Sequence, residues 1–192
     1  MKTIIKLALV AVIFITYSCD KESIALSDEL SSVALKGGKD VKRPISITLH
    51  GMDDPDGGLA TYTGKMSHLG KIFGTVAPSN FVPDEDIPGT FHLSTIGKCG
   101  DDTQPEILDV IVAANGDKIF SRGELIFVFN QEFTAATYSG IITFCDGTGR
   151  FEGAKGTMSI EDGVYQITGP SNYDPEVFIG EFSHTGNGSI TY

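Results

Sequence analysis

An all-β, antiparallel domain of about eight strands is the fold the sequence predicts, with an up-and-down barrel ahead of a sandwich, and three observations carry that prediction. After Pro44, apolar and polar residues alternate through most of the chain, and no convincing long helix interrupts them. Glycine supplies 23 of the 192 residues, about 12% against a usual ~7%. Much of it collects with Asp and Asn in turn signals between the alternating runs. With 41% hydrophobic and 20% charged residues, the composition is that of one turn-rich globular domain rather than a disordered or collagenous chain.

The first run opens at Pro44. Ile45, Ile47 and Leu49 face one way while Ser46, Thr48 and His50 face the other, the period of a half-buried strand. Similar runs cover residues 59–66, 71–77, 90–98, 107–114, 118–120 with 125–129, 137–145, 157–160 and 164–168, and 177–192 in pieces. Between them stand Asp53 to Gly58, Asn115-Gly116, Gly147-Thr148-Gly149 and Asp162-Gly163. Asn-Gly and Asp-Gly favour tight hairpins because such turns need positive φ at their central residues. Successive strands are therefore expected to be antiparallel neighbours, and their number and short turns suit a barrel.

Some runs are apolar on both faces: Val110 to Ala114, Leu125 to Phe129, and Ile141-Ile142. A strand with one solvated face should alternate instead. Another part of the chain or a second subunit is expected to cover those outer faces, since large exposed apolar patches are uncommon on monomers. A homo-oligomer is the expectation.

The N-terminus has the pattern of a bacterial export signal. Lys2 and Lys6 precede the unbroken apolar run Leu7 to Ile15, and Thr16, Tyr17, Ser18 and Cys19 follow. Nine apolar residues cover about half of a hydrocarbon core, too short for a lasting transmembrane helix. Ser18-Cys19 resembles the end of a lipobox, in which the cysteine is acylated and becomes the new N-terminus. This reading makes residues 1–18 a lipoprotein signal peptide and Cys19 the lipidation site. Residues 19–43 become a tether, and residues 44–192 the barrel domain. The tether mixes Ser, Lys, Asp and Glu with Gly37-Gly38 and cannot bury a core, although Leu26, Leu30, Val33 and Ala34 have the spacing of a short helix. Asp20-Lys21-Glu22 resembles the acidic export signals of surface-exposed lipoproteins. The expected location is the cell envelope, anchored to the outer membrane by lipid.

Charge narrows the partners. The chain carries −11; without Lys2 and Lys6 the 12 remaining basic and 25 acidic residues give −13. No nucleic acid partner is expected, because phosphate binding needs clustered Lys and Arg. Anionic head groups should repel the domain too, which leaves membrane attachment to the lipid.

Three stretches carry a family resemblance: Met66 to Lys71, Ala113 to Lys118, and Asp146-Gly147-Thr148-Gly149-Arg150-Phe151-Glu152-Gly153-Ala154-Lys155-Gly156. The last resembles a segment of allene oxide cyclase and dirigent proteins, and all three in this order resemble secreted bacterial proteins thought to share that eight-stranded, calycin-like barrel. Asp146 stands where the pattern usually has its first glycine. The resemblance implies the fold, suggests a trimer by analogy with the plant barrels, and transfers no catalytic residue. Phe151 is expected as a core anchor, with Arg150 paired to a turn carbonyl or a carboxylate.

Chemistry-bearing residues form no decisive motif. No two of His50, His68, His92 and His184 have i, i+2 or i, i+4 spacing, and His68 suits a bend beside Gly70. The loops Asp53 to Asp56 and Asp84 to Asp86 offer oxygen ligands without EF-hand spacing. No G-x-S-x-G elbow or phosphate-binding loop occurs. No metal or cofactor is expected. With Cys19 acylated, Cys99 and Cys145 remain as a possible disulfide in an oxidising compartment. The functional expectation is a non-enzymatic lipoprotein whose barrel holds a small apolar ligand, with Tyr62, Phe91, Phe127, Tyr138 and Tyr165 as candidate lining. The alternatives are a structural protein with a filled core and, by fold analogy alone, a cyclase or isomerase. Palmitate fed to the native host should label the chain and leave a Cys19→Ala variant unlabelled; equal labelling would remove Cys19 as the anchor.

Overall fold

The computed structural model describes residues 41–100 and 107–192. The leader, Cys19 and the candidate tether helix lie outside the described residues. Ten strands form one antiparallel sheet: β1 (Lys42–Met52), β2 (Thr61–Met66), β3 (Gly70–Thr75), β4 (Ser79–Pro83), β5 (Thr90–Thr95), β6 (Asp109–Ala113), β7 (Lys118–Phe129), β8 (Ala135–Gly147), β9 (Lys155–Pro170) and β10 (Phe178–Thr191). Their order is β4-β5-β7-β6-β3-β2-β1-β10-β9-β8, and β8 pairs back onto β7. Eight strands, all but β4 and β5, therefore close a barrel.

Strand β7 is where the barrel departs from a simple meander. It pairs with β8 from Ile119 to Phe129 along one edge. Its other edge is shared: Asp109 to Val112 of β6 pair with Ser121 to Lys118, and Thr90 to Ser94 of β5 pair with Val128 to Glu124. The expected chain of sequential neighbours thus breaks after β3, which pairs with β6 while β4 and β5 form an added hairpin. The segment 79–83 escaped the sequence pattern because an outlying edge strand buries neither face well; four of its five residues are exposed.

Two other expectations change. Residues 118–129 are one strand, because Ser121 and Gly123 keep the inward parity of Ile119 and Leu125 without being apolar. Asp162-Gly163 is not a turn but an irregularity inside β9, where the register slips between Tyr138 and Gly140 of the partner strand. A Cβ at Gly163 would lie 2.4 Å from the Tyr138 ring, so this glycine makes room for a ring across the sheet. Asn115-Gly116 does turn β6 into β7, with Gly116 at φ +89°.

Inward positions alternate along every barrel strand and build one core from Ile45 to Ile190. One half of the barrel is plugged. Phe151 sits on a 3-10 turn, Gly149–Phe151, and is fully buried beside Phe144, Ile119 and Ile190. The turn is clasped by Asp146, whose Oδ1 accepts hydrogen bonds from the amides of Gly147 and Gly153, both 2.7 Å long. Asp146 thus holds the loop closed. Arg150 lies 4.6 Å over the Phe151 ring and 3.9 Å from a carboxylate oxygen of Asp117. Cys99 and Cys145 form a disulfide, with Cα atoms 4.8 Å apart, that ties the segment after β5 to β8.

Outward positions of β1, β2 and β10 are mostly Ser, Thr, Lys, Glu and Asn, unlike the continuous apolar band of a membrane-spanning barrel. Of the doubly apolar runs, Val110 and Val112 are half-buried, while Ile126, Val128 and Ile141 remain 43–50% exposed. No helix among the described residues is long and apolar enough to cross a membrane. Phe151→Ala should cost about 3–5 kcal/mol, as for other buried phenylalanines; a loss under about 1 kcal/mol in urea unfolding would show that the plug is not needed.

Candidate ligand cavity

The half of the barrel opposite the plug is hollow. A cavity of about 150 Å³ lies among inward residues of the barrel strands and β5, and most of its wall is apolar. Of the five aromatic residues expected to line an interior, Tyr62, Phe127, Tyr138 and Tyr165 do so. Phe91 instead stacks on Phe81 of β4, with ring centroids 4.8 Å apart.

Several rings are held against the wall by cross-strand glycines. A Cβ at Gly74 would lie 2.4 Å from the Tyr62 hydroxyl, one at Gly51 would lie 2.3 Å from the Phe182 ring, and one at Gly180 would lie 2.6 Å from the Tyr165 ring. With Gly163 under Tyr138, four rings rest where any other residue would displace them. Aromatic rings continue outward from the cavity: Phe127 stacks on Tyr138 at 4.7 Å, and Phe81 meets Phe127 edge-on at 5.6 Å. Phe81 is 46% exposed, so the aromatic network runs from the interior to the surface of the β4–β5 hairpin.

The polar atoms of the wall are mostly engaged. The Tyr62 hydroxyl donates to the Val110 carbonyl at 3.0 Å. Asp53 accepts from the Tyr165 hydroxyl at 2.6 Å and from the Gly180 amide at 2.9 Å. Asp109 accepts from the Ala77 amide at 2.8 Å and stands 3.5 Å from the Thr95 hydroxyl, and Thr95 in turn accepts from the Gly123 amide at 2.8 Å. That carboxyl therefore links β6, the segment after β3, and β5 where they diverge. The Tyr138 hydroxyl lies 2.8 Å from Nδ1 of His184 and 3.3 Å from the Ser183 carbonyl oxygen. Nε2 of His184 is buried without a partner.

Burial sets the protonation of this wall. It pushes the Asp109 carboxyl up to about 6 and the His184 imidazole down to about 4, because in each case the charged form loses its water. Burial also raises the Tyr62, Tyr138 and Tyr165 hydroxyls; the neighbouring Asp109 adds to the effect at Tyr62, and Asp53 does so at Tyr165. At neutral pH the site presents a neutral histidine and neutral phenols.

Other sequence candidates lie apart. His68 occupies the β2–β3 turn at φ 66°, with Nε2 3.0 Å from the Pro44 carbonyl oxygen. His92 pairs with Asp84 at 2.8 Å, and this hydrogen bond is the chief cause that lowers the Asp84 carboxyl. Asp54 and Asp84 accept hydrogen bonds from amides of their own loops. Among the described residues no three His, Cys, Asp or Glu side chains gather as a metal site. Neither cysteine of the disulfide lines the cavity.

Asp109 and His184 were missed as a site, although each left a trace. Asp109 shares strand parity with Ile111 and Ala113, and His184 shares it with Gly186 and Ile190, so each places a titratable group on the inward row. No protein family, curated protein or solved structure matches the chain.

The two inward titrating groups affect stability with opposite dependence on pH. Asp109 is harder to ionise when folded, so its cost is absent below about pH 4, grows toward pH 6 and stays constant above. His184 is harder to protonate when folded, so its contribution is complete above about pH 6.5 and is lost as pH falls toward 4. Each amounts to roughly 3 kcal/mol. Relative to the parent, Asp109→Asn should lose more stability between pH 6.5 and 4, and His184→Gln should lose less; denaturant midpoints that shift in parallel in all three would contradict the burial of these groups.

Proposed function

We propose that the protein is a non-enzymatic binding module of the bacterial cell envelope, anchored through an acylated Cys19, that holds one small apolar molecule inside its barrel. The observation that carries the proposal is the cavity of about 150 Å³ with a mainly apolar wall. A mainly apolar space of that size accommodates a benzene-sized guest. Barrels of eight strands are just wide enough for side chains or one small ligand, and here the plug fills one half while glycine-backed rings line the other.

Binding is favoured over catalysis by how the polar groups are engaged. Asp53 and Asp109 are committed to amides and hydroxyls that hold the barrel together. Neither stands as a free base beside the cavity. The anchoring part of the reading rests on the leader residues and Ser18-Cys19. Kinship with the allene oxide cyclase-like barrels rests on the three motif stretches together with the barrel itself. Outward transport of a substrate is not required by this reading; the lipid needs only to keep the binding domain at the membrane.

Benzene is a direct probe. At about five times its dissociation constant it should raise the melting temperature of residues 20–192, which retain every strand of the barrel, by about 2–4 °C. Gly123→Val should remove the effect. A Cβ at Gly123 would lie 3.2 Å from the movable Cδ1 of Ile142 and 3.8 Å from an Asp109 oxygen, so the added methyl groups occupy the void. No benzene effect on the parent would favour the filled-core structural reading instead.

A further inference from the structure

We infer that the open edge of β4 is a docking site for an extended basic peptide, which adds to the sheet as a further strand outside the barrel. The inference is independent of the cavity and of what it holds. Among the described residues β4 is the one strand that pairs along a single edge. Its hydrogen bonds fix which groups it leaves on the other. The Ile96 amide donates to the Pro78 carbonyl at 3.1 Å, and the Asp84 amide donates to the Thr90 carbonyl at 2.9 Å, so the even-numbered residues turn their main-chain groups to β5. Antiparallel pairs alternate in this respect, and Ser79, Phe81 and Pro83 therefore turn theirs to the open edge. Ser79 and Phe81 each offer an amide and a carbonyl there. Pro83 offers a carbonyl alone, the placement that proline takes in an edge strand.

A groove of about 460 Å³ is lined by the same Ser79 and Phe81 and by the connections that follow β1 and β9. Those two connections are bound to each other. The Pro55 carbonyl accepts from the Asn172 amide at 2.7 Å and from the Ser171 hydroxyl at 2.9 Å, and the Tyr173 ring packs on Gly57, where a Cβ would lie 3.0 Å from it. Phe81 is anchored as well, stacked on Phe91 at 4.8 Å and edge-on to Phe127 and Phe129 at 5.6 and 6.4 Å. The groove is thus built before a ligand arrives, which reduces the ordering cost of binding.

The lining specifies the ligand. Phe81, Val177 and Phe178 border the groove and are 46%, 51% and 61% exposed, an apolar surface for alternate side chains of an added strand. In such docking the main chain supplies affinity and the side-chain sites supply selectivity. Asp54 and Asp174 border it too, and no Lys, Arg or His among the described residues does. Each of these carboxylates accepts an amide of its own turn, from Asp56 and Glu176, and a carboxylate retains acceptor sites after one such bond. Charge also decides between occupants. A second copy of the chain would bring the same carboxylates and a net charge of −11, and facing like charges destabilise a strand pair. A lysine-bearing peptide meets the opposite sign.

The probe is acetyl-Lys-Phe-Lys-Phe-Lys-amide, whose lysines and phenylalanines fall on opposite faces of a strand, titrated into residues 20–192 and followed by amide NMR. The Ser79 and Phe81 amide signals should shift and their hydrogen exchange should slow. The same peptide N-methylated at every residue keeps its side chains but cannot donate ladder hydrogen bonds, and it should bind at least about tenfold more weakly. Acetyl-Glu-Phe-Glu-Phe-Glu-amide should weaken by a similar factor. Asp54→Asn with Asp174→Asn, which retains the turn acceptors, should weaken the lysine peptide about fivefold. Equal affinity for the N-methylated peptide, or for both charges, overturns the inference, and these readings need only the parent protein. A lysine peptide that fails to bind, or that leaves Ser79 and Phe81 unmoved, overturns it too. So does a chain that is dimeric without peptide and already protects those two amides, which would assign the edge to a second copy.

Discussion

Four aromatic rings rest on glycines of neighbouring strands, and the hollow in this barrel depends on that arrangement. The interior of a closed eight-stranded sheet is small enough for side chains to fill. Here Tyr62, Tyr138, Tyr165 and Phe182 lie over Gly74, Gly163, Gly180 and Gly51, at positions where a Cβ would overlap the ring. Rings seated so close to the backbone cover the wall and occupy less of the middle. The same glycines would weaken a strand on their own, and the rings restore the packing that the missing side chains would have supplied.

The barrel is divided along its axis. At one end Phe151, Phe144, Ile119 and Ile190 pack without exposure, and the Asp146 clasp keeps the turn bearing Phe151 in place. At the other end β6 begins only at Asp109, and the single edge of β7 passes from β6 to β5. Asp109 satisfies backbone and hydroxyl donors at that junction, a use that repays part of the cost of burying a carboxyl. Stiffness at the plug and divergence at the junction explain why the void lies in one half only.

Polar residues on inward rows define the character of the void. The tyrosine hydroxyls, the Thr95 hydroxyl and both carboxylates of the wall have partners in another segment of the barrel, so these groups are first structural. His184 differs in that one nitrogen serves the Tyr138 contact and the other serves nothing in the chain.

Much of the fold was legible because strand side chains alternate with a period of two and hairpin turns need particular residues. Those local rules located β1, β2, β3, β5, β6 and β8, the Asn115-Gly116 turn, and an antiparallel barrel of about eight strands. They failed at Asp162-Gly163, since a glycine that makes room for Tyr138 looks the same in sequence as one that turns the chain. They failed again at β4, whose pairing with β5 leaves both its faces poorly buried. By itself, then, the sequence determined strand character, inward parity and the acidic surface, all of which follow from neighbours a few residues apart. Only the tertiary structure decided which strands share β7, which ring lies over which glycine, and that the His184 ring meets the Tyr138 hydroxyl, because those depend on contacts between residues as far apart as Tyr138 and His184.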